Sequence, residues 1–334
     1  MIPEEKQLAV TRALREAFGT EAFEDIRPLT DGMSSALVFR IVVRQTPYLL
    51  RVITRTGTMG DPTRQYACMR AGAEAGIAPQ IRYASVEDRV MISDFIDPKP
   101  FPHDIALRIA PLLRRLHALP QFPKAVDYFA VINGFVRRFQ TAKILPESKT
   151  EELFNSYGEL AKIYPHNETE LVACHNDLKP QNILFDGERI WLVDWEAAFL
   201  NDRYLDLAIV ANFFVKDAAG EQEYLHAYFG EPAGDYRSAR FCLMRQAAHV
   251  VYATCFMVLA HDAGYAADPR MQVPEFDDFH RRIIAGEIDL MKPEAKSLYG
   301  MVHLNRALEN LRTRRFKDAM TLVSGSSTSM SPIP

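Results

Sequence analysis

Near the middle of the chain, residues 175–182 have the sequence His175-Asn176-Asp177-Leu178-Lys179-Pro180-Gln181-Asn182. Two short apolar runs then lead to Leu192-Val193-Asp194-Trp195-Glu196. Asp177 can accept the proton of an attacking hydroxyl when it lies within hydrogen-bond reach. Asn182 and Asp194 offer one neutral and one anionic oxygen, which are the ligands that Mg²⁺ prefers. A base with two magnesium ligands is what phosphoryl transfer needs, so we predict a phosphotransferase site here.

The other residues of this stretch support the interpretation. Lys179 is placed to stabilise negative charge on a phosphoryl group in transfer, and we count it with Asp177 and His175 as catalytic. His175 is expected to hold the loop in shape rather than to react. The runs 183–185 and 190–193 predict two strands around the loop. One such residue alone is typical of an ordinary turn, but the complete set at these spacings is specific.

The two stretches, followed by Asn201, Arg203 and Asp206-Leu207-Ala208, resemble the aminoglycoside phosphotransferase and choline kinase superfamily. The likeness is strongest to its choline/ethanolamine kinase branch. Glu196 is the most branch-specific of these residues, although thiamine kinases share it. A protein kinase is a poorer match, because Trp195-Glu196 follows Asp194 in place of Phe-Gly and no Ala-Pro-Glu follows.

The resemblance implies a protein-kinase-like, two-lobed α+β fold. A small, β-rich N-terminal lobe would bind the nucleotide, and a larger, mostly helical C-terminal lobe would carry the catalytic loop and the substrate. ATP and Mg²⁺ are the implied cofactors. Asp206 and Arg203 are implied to support the catalytic loop rather than to react.

The N-terminal periodicity agrees with such a small lobe. Residues 4–18 have apolar groups at helical spacing, and the runs 36–43 and 48–53 predict two strands. The turn before these strands contains Gly32, Ser34 and Ser35, whose backbone N–H groups could approach phosphate oxygens. Choline kinases have a similar turn there, but a plain hairpin would have the same composition.

Arg51 lies in the middle of an apolar strand, where an unpaired cation would be costly to bury. It needs an anionic partner unless it points outward from an edge strand. The resemblance implies that Arg51 binds the α- and β-phosphates of ATP and pairs with a glutamate on the next helix, predicted over 62–75. Gln65 occupies that glutamate position, so we expect an Arg51–Gln65 hydrogen bond or a pair with Asp61 instead.

The strand predicted over 89–96 should end the small lobe. The resemblance implies that adenine contacts the backbone there, near Asp94 and Ile96. Three closely spaced prolines follow and mark the boundary. We therefore divide the chain into a nucleotide-binding lobe, a catalytic and substrate lobe and a disordered Ser- and Pro-containing tail, with the ranges 1–97, 98–323 and 324–334.

The phosphate acceptor is less well defined. A quaternary ammonium is bound best by aromatic faces and nearby carboxylates. Choline kinases supply tryptophans from a late helix, and the run 248–255 resembles it with Tyr252 at one tryptophan position and Cys255 at the other. Glu196 and Tyr252 are therefore candidate substrate-binding residues. An amino alcohol is the leading prediction, while an aminoglycoside, sugar or thiamine kinase and a catalytically silent nucleotide-binding protein stay open.

Composition narrows the class of protein. A chain of 334 residues with 48% hydrophobic residues can build two lobes, and a net charge of −4 favours a small-molecule partner over nucleic acid or a membrane surface. Four cysteines show no zinc or disulfide spacing, and no signal peptide opens the chain, so we expect a cytoplasmic protein. The nearly uncharged run 247–260 is too short to span a bilayer and predicts a buried core helix. The oligomeric state stays open.

Overall fold

The structure is a computed structural model that describes residues 2–29, 36–57, 60–166 and 170–328. The predicted phosphate-binding turn with Gly32, Ser34 and Ser35 lies outside these residues. The described chain divides into two compact units, residues 1–123 with 172–200 and residues 124–171 with 201–334. The predicted lobe boundary at residue 97 is defined by function rather than by compactness, and it stays a prediction.

The strands of the described chain form one five-stranded sheet and two pairs of strands. The strands are β1 (Asp25–Pro28), β2 (Ala36–Val43), β3 (Thr46–Ile53), β4 (Ile81–Ser85), β5 (Val90–Asp94), β6 (Leu171–Cys174), β7 (Ile183–Phe185), β8 (Ile190–Leu192) and β9 (Phe199–Asp202). The first five make an antiparallel sheet in the order β1-β2-β3-β5-β4. β7 pairs with β8, and β6 pairs with β9. The two strands predicted between the catalytic stretch and Asp194 are therefore present as β7 and β8.

A tight turn sets the register of the larger sheet. Val43 pairs with Thr46, so Arg44 and Gln45 alone form the loop between β2 and β3. Both have positive φ, 50° and 62°. Two residues in this conformation match the right-handed twist of the flanking strands. The resulting register places Arg51 in the middle of β3, opposite Val38 on one side and Met91 on the other.

The helices of the described chain include those predicted over 4–18 and 62–75. They are α1 (Glu4–Phe18), α2 (Thr63–Glu74), α3 (Ile105–His117), α4 (Tyr128–Thr141), α5 (Glu151–Ile163), α6 (Arg203–Phe214), α7 (Ala218–Phe229), α8 (Gly234–Asp262), α9 (Phe276–Ile284), α10 (Pro293–Leu311) and α11 (Arg314–Thr328). The apolar face of α1 packs on the sheet through Ala9, Val10, Ala13 and Leu14. Burying this apolar surface is the main stabilisation of an amphipathic helix.

The second unit is built around α8. This helix is long and apolar enough to cross a membrane, but 78% of its most apolar window is buried inside the protein. Helices α4, α6, α10 and α11 pack against it. The prediction of a buried core helix over 247–260 is confirmed, because those residues lie within α8 and most of them are buried.

The C-terminal end differs from the prediction. The tail was expected from residue 324, but α11 continues through Thr328. Val323 is fully buried, so the helix is held by packing one residue before the predicted tail begins. The Ser324 hydroxyl also donates to the Thr321 carbonyl at 3.0 Å. Packing of this kind overrides the low helix propensity of Ser, Gly and Thr. Residues 329–334 lie outside the described chain.

Candidate active site

The catalytic stretch forms a loop between β6 and β7, closed by a short 3₁₀ turn at Pro180–Asn182. The Asn182 amide donates to the Asp177 backbone carbonyl at 2.8 Å and to the Asp177 carboxylate at 2.9 Å. These bonds identify the Asn182 nitrogen and leave its carbonyl oxygen, Oδ1, on the other side of the amide. The local spacing of five residues is what allows one side chain to reach back in this way.

The second predicted metal ligand is attached to the first through the backbone. The Val193 N–H donates to the Asn182 carbonyl at 3.0 Å, which places Asp194 immediately beside Asn182. Asp194 has φ 63° and ψ 65°, a left-handed conformation that is unusual for a residue with a side chain. The 3₁₀ turn Trp195–Ala197 follows directly. We call residues 194–198 the metal loop.

His175 stabilises this arrangement from the interior of the protein. It is fully buried, and its Nε2 lies 2.9 Å from the Val193 carbonyl. A carbonyl only accepts, so Nε2 carries the hydrogen. The ring packs against Trp195 with 4.9 Å between centroids. His175 therefore joins the catalytic loop to the metal loop, in line with the shape-holding role expected for it.

Arg51 has its carboxylate partners in the metal loop. Its side chain is only 9% exposed, its Nη1 lies 3.3 Å from Asp194 Oδ1, and its Nη2 contacts the Glu196 carboxylate. The anionic partner predicted for Arg51 is thus present, but it comes from the metal loop and not from α2. Asp61, the other expected partner, accepts instead from the Thr63 N–H at 2.9 Å at the start of α2.

The carboxylates at this site are partly neutralised by nearby cations. The Lys179 ammonium contacts the Asp177 carboxylate. Burial disfavours the charged form of Lys179, but the nearby carboxylates of Asp177, Asp194 and Glu196 outweigh that effect, so its pKa is raised. Lys179 is therefore a cation at neutral pH. Three carboxylates face two cations, Lys179 and Arg51, and the excess negative charge suits a further cation.

The oxygen donors fit a magnesium ion. Asn182 presents a neutral amide oxygen and Asp194 an anionic one, and Mg²⁺ is bound by one or two such carboxylates together with substrate phosphates. The Asn182 nitrogen is engaged by Asp177, so the amide orientation is the one that metal binding requires. The two residues predicted as metal ligands are therefore brought together with the correct atoms available.

The predicted adenine-binding segment lies at the end of β5. Asp94 donates its N–H to the Gln80 carbonyl at 2.9 Å. Its carboxylate forms a bidentate pair with Arg82, at 2.6 and 3.0 Å. Ile96 follows just beyond the strand. The Asp94 side chain and N–H thus serve the sheet itself, so any contact from Asp94 to a base would use its carbonyl.

The remaining predicted residues belong to the second compact unit. Asp206 is fully buried in the first turn of α6, and Arg203 is the first residue of that helix. Tyr252 on α8 is 8% exposed and stacks on His303 with 4.7 Å between ring centroids. Cys255, one turn further along, is half-buried. Most of the aromatic residues after 208 are buried, as expected for core positions.

Sequence reasoning missed Arg64 on α2. Its guanidinium donates to the Glu196 carbonyl at 2.9 Å and also to the Ala198 carbonyl. No motif marks this residue. The available signal was a weak one, an arginine at the start of a helix that also has a small residue, Gly72, on the same face.

Residues 25–242 match the phosphotransferase enzyme family. The chain belongs to this family. The predicted superfamily is therefore confirmed. The predicted enzyme class, a small-molecule kinase, is confirmed by the same family match. The match includes the catalytic loop, the metal loop and Arg51 of this phosphotransferase family member.

Similar proteins agree on the fold of this family member. It is 29% identical to LicA of Haemophilus influenzae over 89 residues, which are 27% of this chain but only 31% of LicA. A choline/ethanolamine kinase family protein from Mesorhizobium loti superposes with a TM-score of 0.69 at 20% identity, covering 96% of this chain and 99% of the other. A spectinomycin phosphotransferase in complex with ADP and spectinomycin has a TM-score of 0.59 at 12% identity, covering 96% and 98%. The predicted two-lobed kinase-like fold class is confirmed.

Proposed function

We propose that the protein is an ATP- and Mg²⁺-dependent kinase. It transfers the γ-phosphoryl group of ATP to a hydroxyl of a small molecule, with an amino alcohol of the choline or ethanolamine type as the leading acceptor. The observation that supports this most is that hydrogen bonds join Asn182 both to Asp177 and to Val193, the residue before Asp194. We also propose a cytoplasmic location and no nucleic-acid or membrane partner.

Asp177 is the base in this mechanism. Asn182 and Lys179 both contact its carboxylate, so its direction is set before the acceptor arrives. Asp177 orients the acceptor hydroxyl and takes its proton as the oxygen attacks phosphorus. Such positioning, rather than covalent chemistry, is the main contribution of a protein to phosphoryl transfer.

Asn182 Oδ1 and Asp194 would hold Mg²⁺. When bound, the ion would supply positive charge that stabilises the negative charge developing on the transferring phosphoryl group. Arg51 binds the α- and β-phosphates, and Lys179 stabilises the transferring group. Arg51 contacts the Asp194 and Glu196 carboxylates, and Lys179 contacts the Asp177 carboxylate. These carboxylates keep the two cations near the proposed phosphate positions.

The nucleotide base would bind at the end of β5. The Asp94 carbonyl accepts from the adenine amino group, since its N–H is used by Gln80, and the Ile96 N–H donates to the ring. Gly32, Ser34 and Ser35 would supply backbone N–H groups to the phosphates. In this proposal, Gln65 on α2 is not a partner of Arg51.

Glu196 and Tyr252 are the proposed acceptor-binding residues. A carboxylate and an aromatic face are the groups that bind an ammonium. An aminoglycoside, sugar or thiamine acceptor is the alternative within the same reaction. The half-buried Cys255, at a position where choline kinases have a tryptophan, favours this alternative because it removes one face of an aromatic cage.

The test is Mg²⁺-dependent ADP release from ATP with choline, ethanolamine, thiamine, aminoglycosides and simple sugars. We expect one acceptor class to stimulate release in the wild type and not in Asp177→Asn. Asp235→Asn, a change at an exposed position on α8, is the matched control and should retain the rate.

Loss of ADP release in Asp177→Asn but not in Asp235→Asn would support the proposal and name the acceptor class. Equal rates in the wild type and Asp177→Asn would contradict it. Binding of ATP by calorimetry without turnover of any acceptor would favour the silent nucleotide-binding protein instead.

A further inference from the structure

One face of α2 lies against the metal loop. Arg64, Cys68 and Gly72 are spaced by four residues, so they share one face of the helix. Each of the three contacts residues 195–198. In the kinase resemblance this helix would contribute a glutamate to the strand cation, but Gln65 stands there. The helix is therefore joined to the site by different residues.

Arg64 makes the polar contacts of this face. Its Nη2 donates to the Glu196 carbonyl at 2.9 Å and its Nη1 to the Ala198 carbonyl. The guanidinium carbon lies 5.8 Å from the centre of the Phe199 ring. Cys68 Sγ adds a weak contact to the Ala198 carbonyl at 3.7 Å. A planar guanidinium donates from a rigid fork, so two of its N–H groups on two carbonyls fix both carbonyl directions more firmly than the freely rotating donors of an ammonium would.

Gly72 and Trp195 make the apolar contact. A Cβ atom added at Gly72 would lie 2.7 Å from the Trp195 ring, so the helix backbone itself packs on the indole. Trp195 is buried and donates its Nε1–H to the Leu192 carbonyl at 3.0 Å. The first turn of the metal loop is thereby held between α2 and the end of β8.

The metal loop needs such support. Asp194 has φ 63° and ψ 65°. A left-handed conformation is strained for a residue with a Cβ and persists only where the surroundings hold it. The loop must keep this conformation for the Asp194 and Glu196 carboxylates both to contact Arg51.

We infer that Arg64 is a positioning residue for the metal site. Through the carbonyls of Glu196 and Ala198 it sets the direction of the Asp194 and Glu196 carboxylates. The coupling between α2 and Arg51 on β3 then passes through the metal loop, which replaces the direct ion pair to the helix. This inference rests on the proposed function, because it concerns the binding of Mg²⁺ with the nucleotide.

The experiment compares Arg64→Ala and Arg64→Lys with Arg70→Ala, an exposed arginine on the same helix. All variants carry Trp191→Phe, so that Trp195 is the remaining tryptophan of the two in the chain. We expect Arg64→Ala to raise the Mg²⁺ concentration for half-maximal turnover about tenfold or more, as is typical when support of a metal ligand is removed. The KM for the acceptor should rise as well, because the Glu196 carboxylate that Arg64 positions is a proposed acceptor-binding group.

Two readouts do not depend on turnover. Binding of Mg²⁺ with ADP by calorimetry should weaken by a similar factor in Arg64→Ala, and the emission of the buried Trp195 should shift to longer wavelength. Arg64→Lys should recover part of both effects, and it also serves if Arg64→Ala folds poorly. Arg70→Ala should match the parent in every measurement.

The inference is overturned if Arg64→Ala matches Arg70→Ala in calorimetry and Trp195 emission. It is also overturned if Arg64→Ala raises the acceptor KM but leaves the Mg²⁺ requirement unchanged, since the effect would then lie outside the metal site. Failure of the proposed function is a separate result. A parent that shows no Mg²⁺-dependent turnover contradicts the function, while the emission of Trp195 still decides whether Arg64 holds the loop.

Discussion

Asn182 connects the proposed base, Asp177, to the proposed metal loop. Its nitrogen donates twice to Asp177, and its backbone carbonyl accepts from Val193 next to Asp194. The amide is thus required in one orientation, with the nitrogen toward the base and the oxygen toward the metal position. A carboxylate of the same shape would satisfy the metal but not the base.

Asn182→Asp tests this orientation. The change replaces two hydrogen bonds by close approaches between oxygen atoms, because it places an acceptor oxygen against the Asp177 carbonyl and carboxylate. We expect a loss of about 1–3 kcal/mol in the free energy of unfolding and loss of turnover. Urea unfolding and ADP release measure these effects. Asn155→Asp, at an exposed position on α5, is the control, and equal stability of the two variants would contradict the assigned orientation.

At the scale of elements, α2 is placed by the fit between its backbone and the metal loop. Gly72 permits this fit because it has no Cβ, and the indole of Trp195 fills the space that a side chain would occupy. The helix therefore has a glycine in its interior despite the low helix propensity of that residue.

Gly72→Ala should destabilise the protein, although alanine is the better helix former. The added methyl would lie 2.7 Å from the Trp195 ring, and relieving such overpacking costs about 1–3 kcal/mol. Gly158→Ala on α5 is the matched control, because nothing lies within 4 Å of its Cβ position. That change should stabilise by about 0.5–1 kcal/mol. Thermal unfolding distinguishes the two, and a shift of the same sign in both would disprove the close approach.

At the scale of the whole molecule, stability depends on three buried histidines. His249, His280 and His303 lie on α8, α9 and α10, and the Nδ1 atoms of His249 and His303 are 3.0 Å apart. Burial lowers the pKa of His249 and His303 well below the usual value, and nearby cations add to the effect, Arg245 and Arg306 at His249 and Arg306 at His303. Burial also lowers the pKa of His280 to about 4, against opposing effects of the Phe276 carbonyl and Asp277.

These shifts predict a loss of stability in mild acid. Between an unfolded pKa of 6.5 and a folded pKa of about 4, the unfolded chain binds a proton at His280 that the folded protein does not. Stability is therefore complete above pH 6.5 and falls as the pH drops, by up to about 1.4 kcal/mol per pH unit for each such histidine.

His280→Asn should reduce this pH dependence. The asparagine amide can replace the Nδ1 donor to the Phe276 carbonyl, 2.7 Å away, but it does not titrate. The variant will have lower stability at pH 7 because the ring is lost, so the quantity to compare is the change in unfolding free energy between pH 7 and pH 5. His226→Asn, at an exposed position on α7, is the control. An unchanged slope in His280→Asn would show that folding does not lower the pKa of His280.

Features that depend on neighbouring residues were predictable from the sequence. The bounds of α1 and β2, the strands around the catalytic loop and the buried course of α8 follow from periodicity, which is a local property of the chain. The reach of Asn182 to Asp177 is local too, since only five residues separate them. The extension of α11 was missed because the packing of Val323 outweighs local propensity.

The family, the fold class and the residues proposed as a base with two metal ligands could all be inferred from the sequence. The partner of Arg51 was decided by the tertiary structure alone, because Asp194 and Glu196 are 143 and 145 residues away. The same is true of Arg64, whose carbonyl contacts are 132 and 134 residues distant. Periodicity and spacing describe which face a side chain occupies, but not which distant segment packs on that face. That choice is made by the burial of apolar surface and the pairing of buried charge in the folded protein.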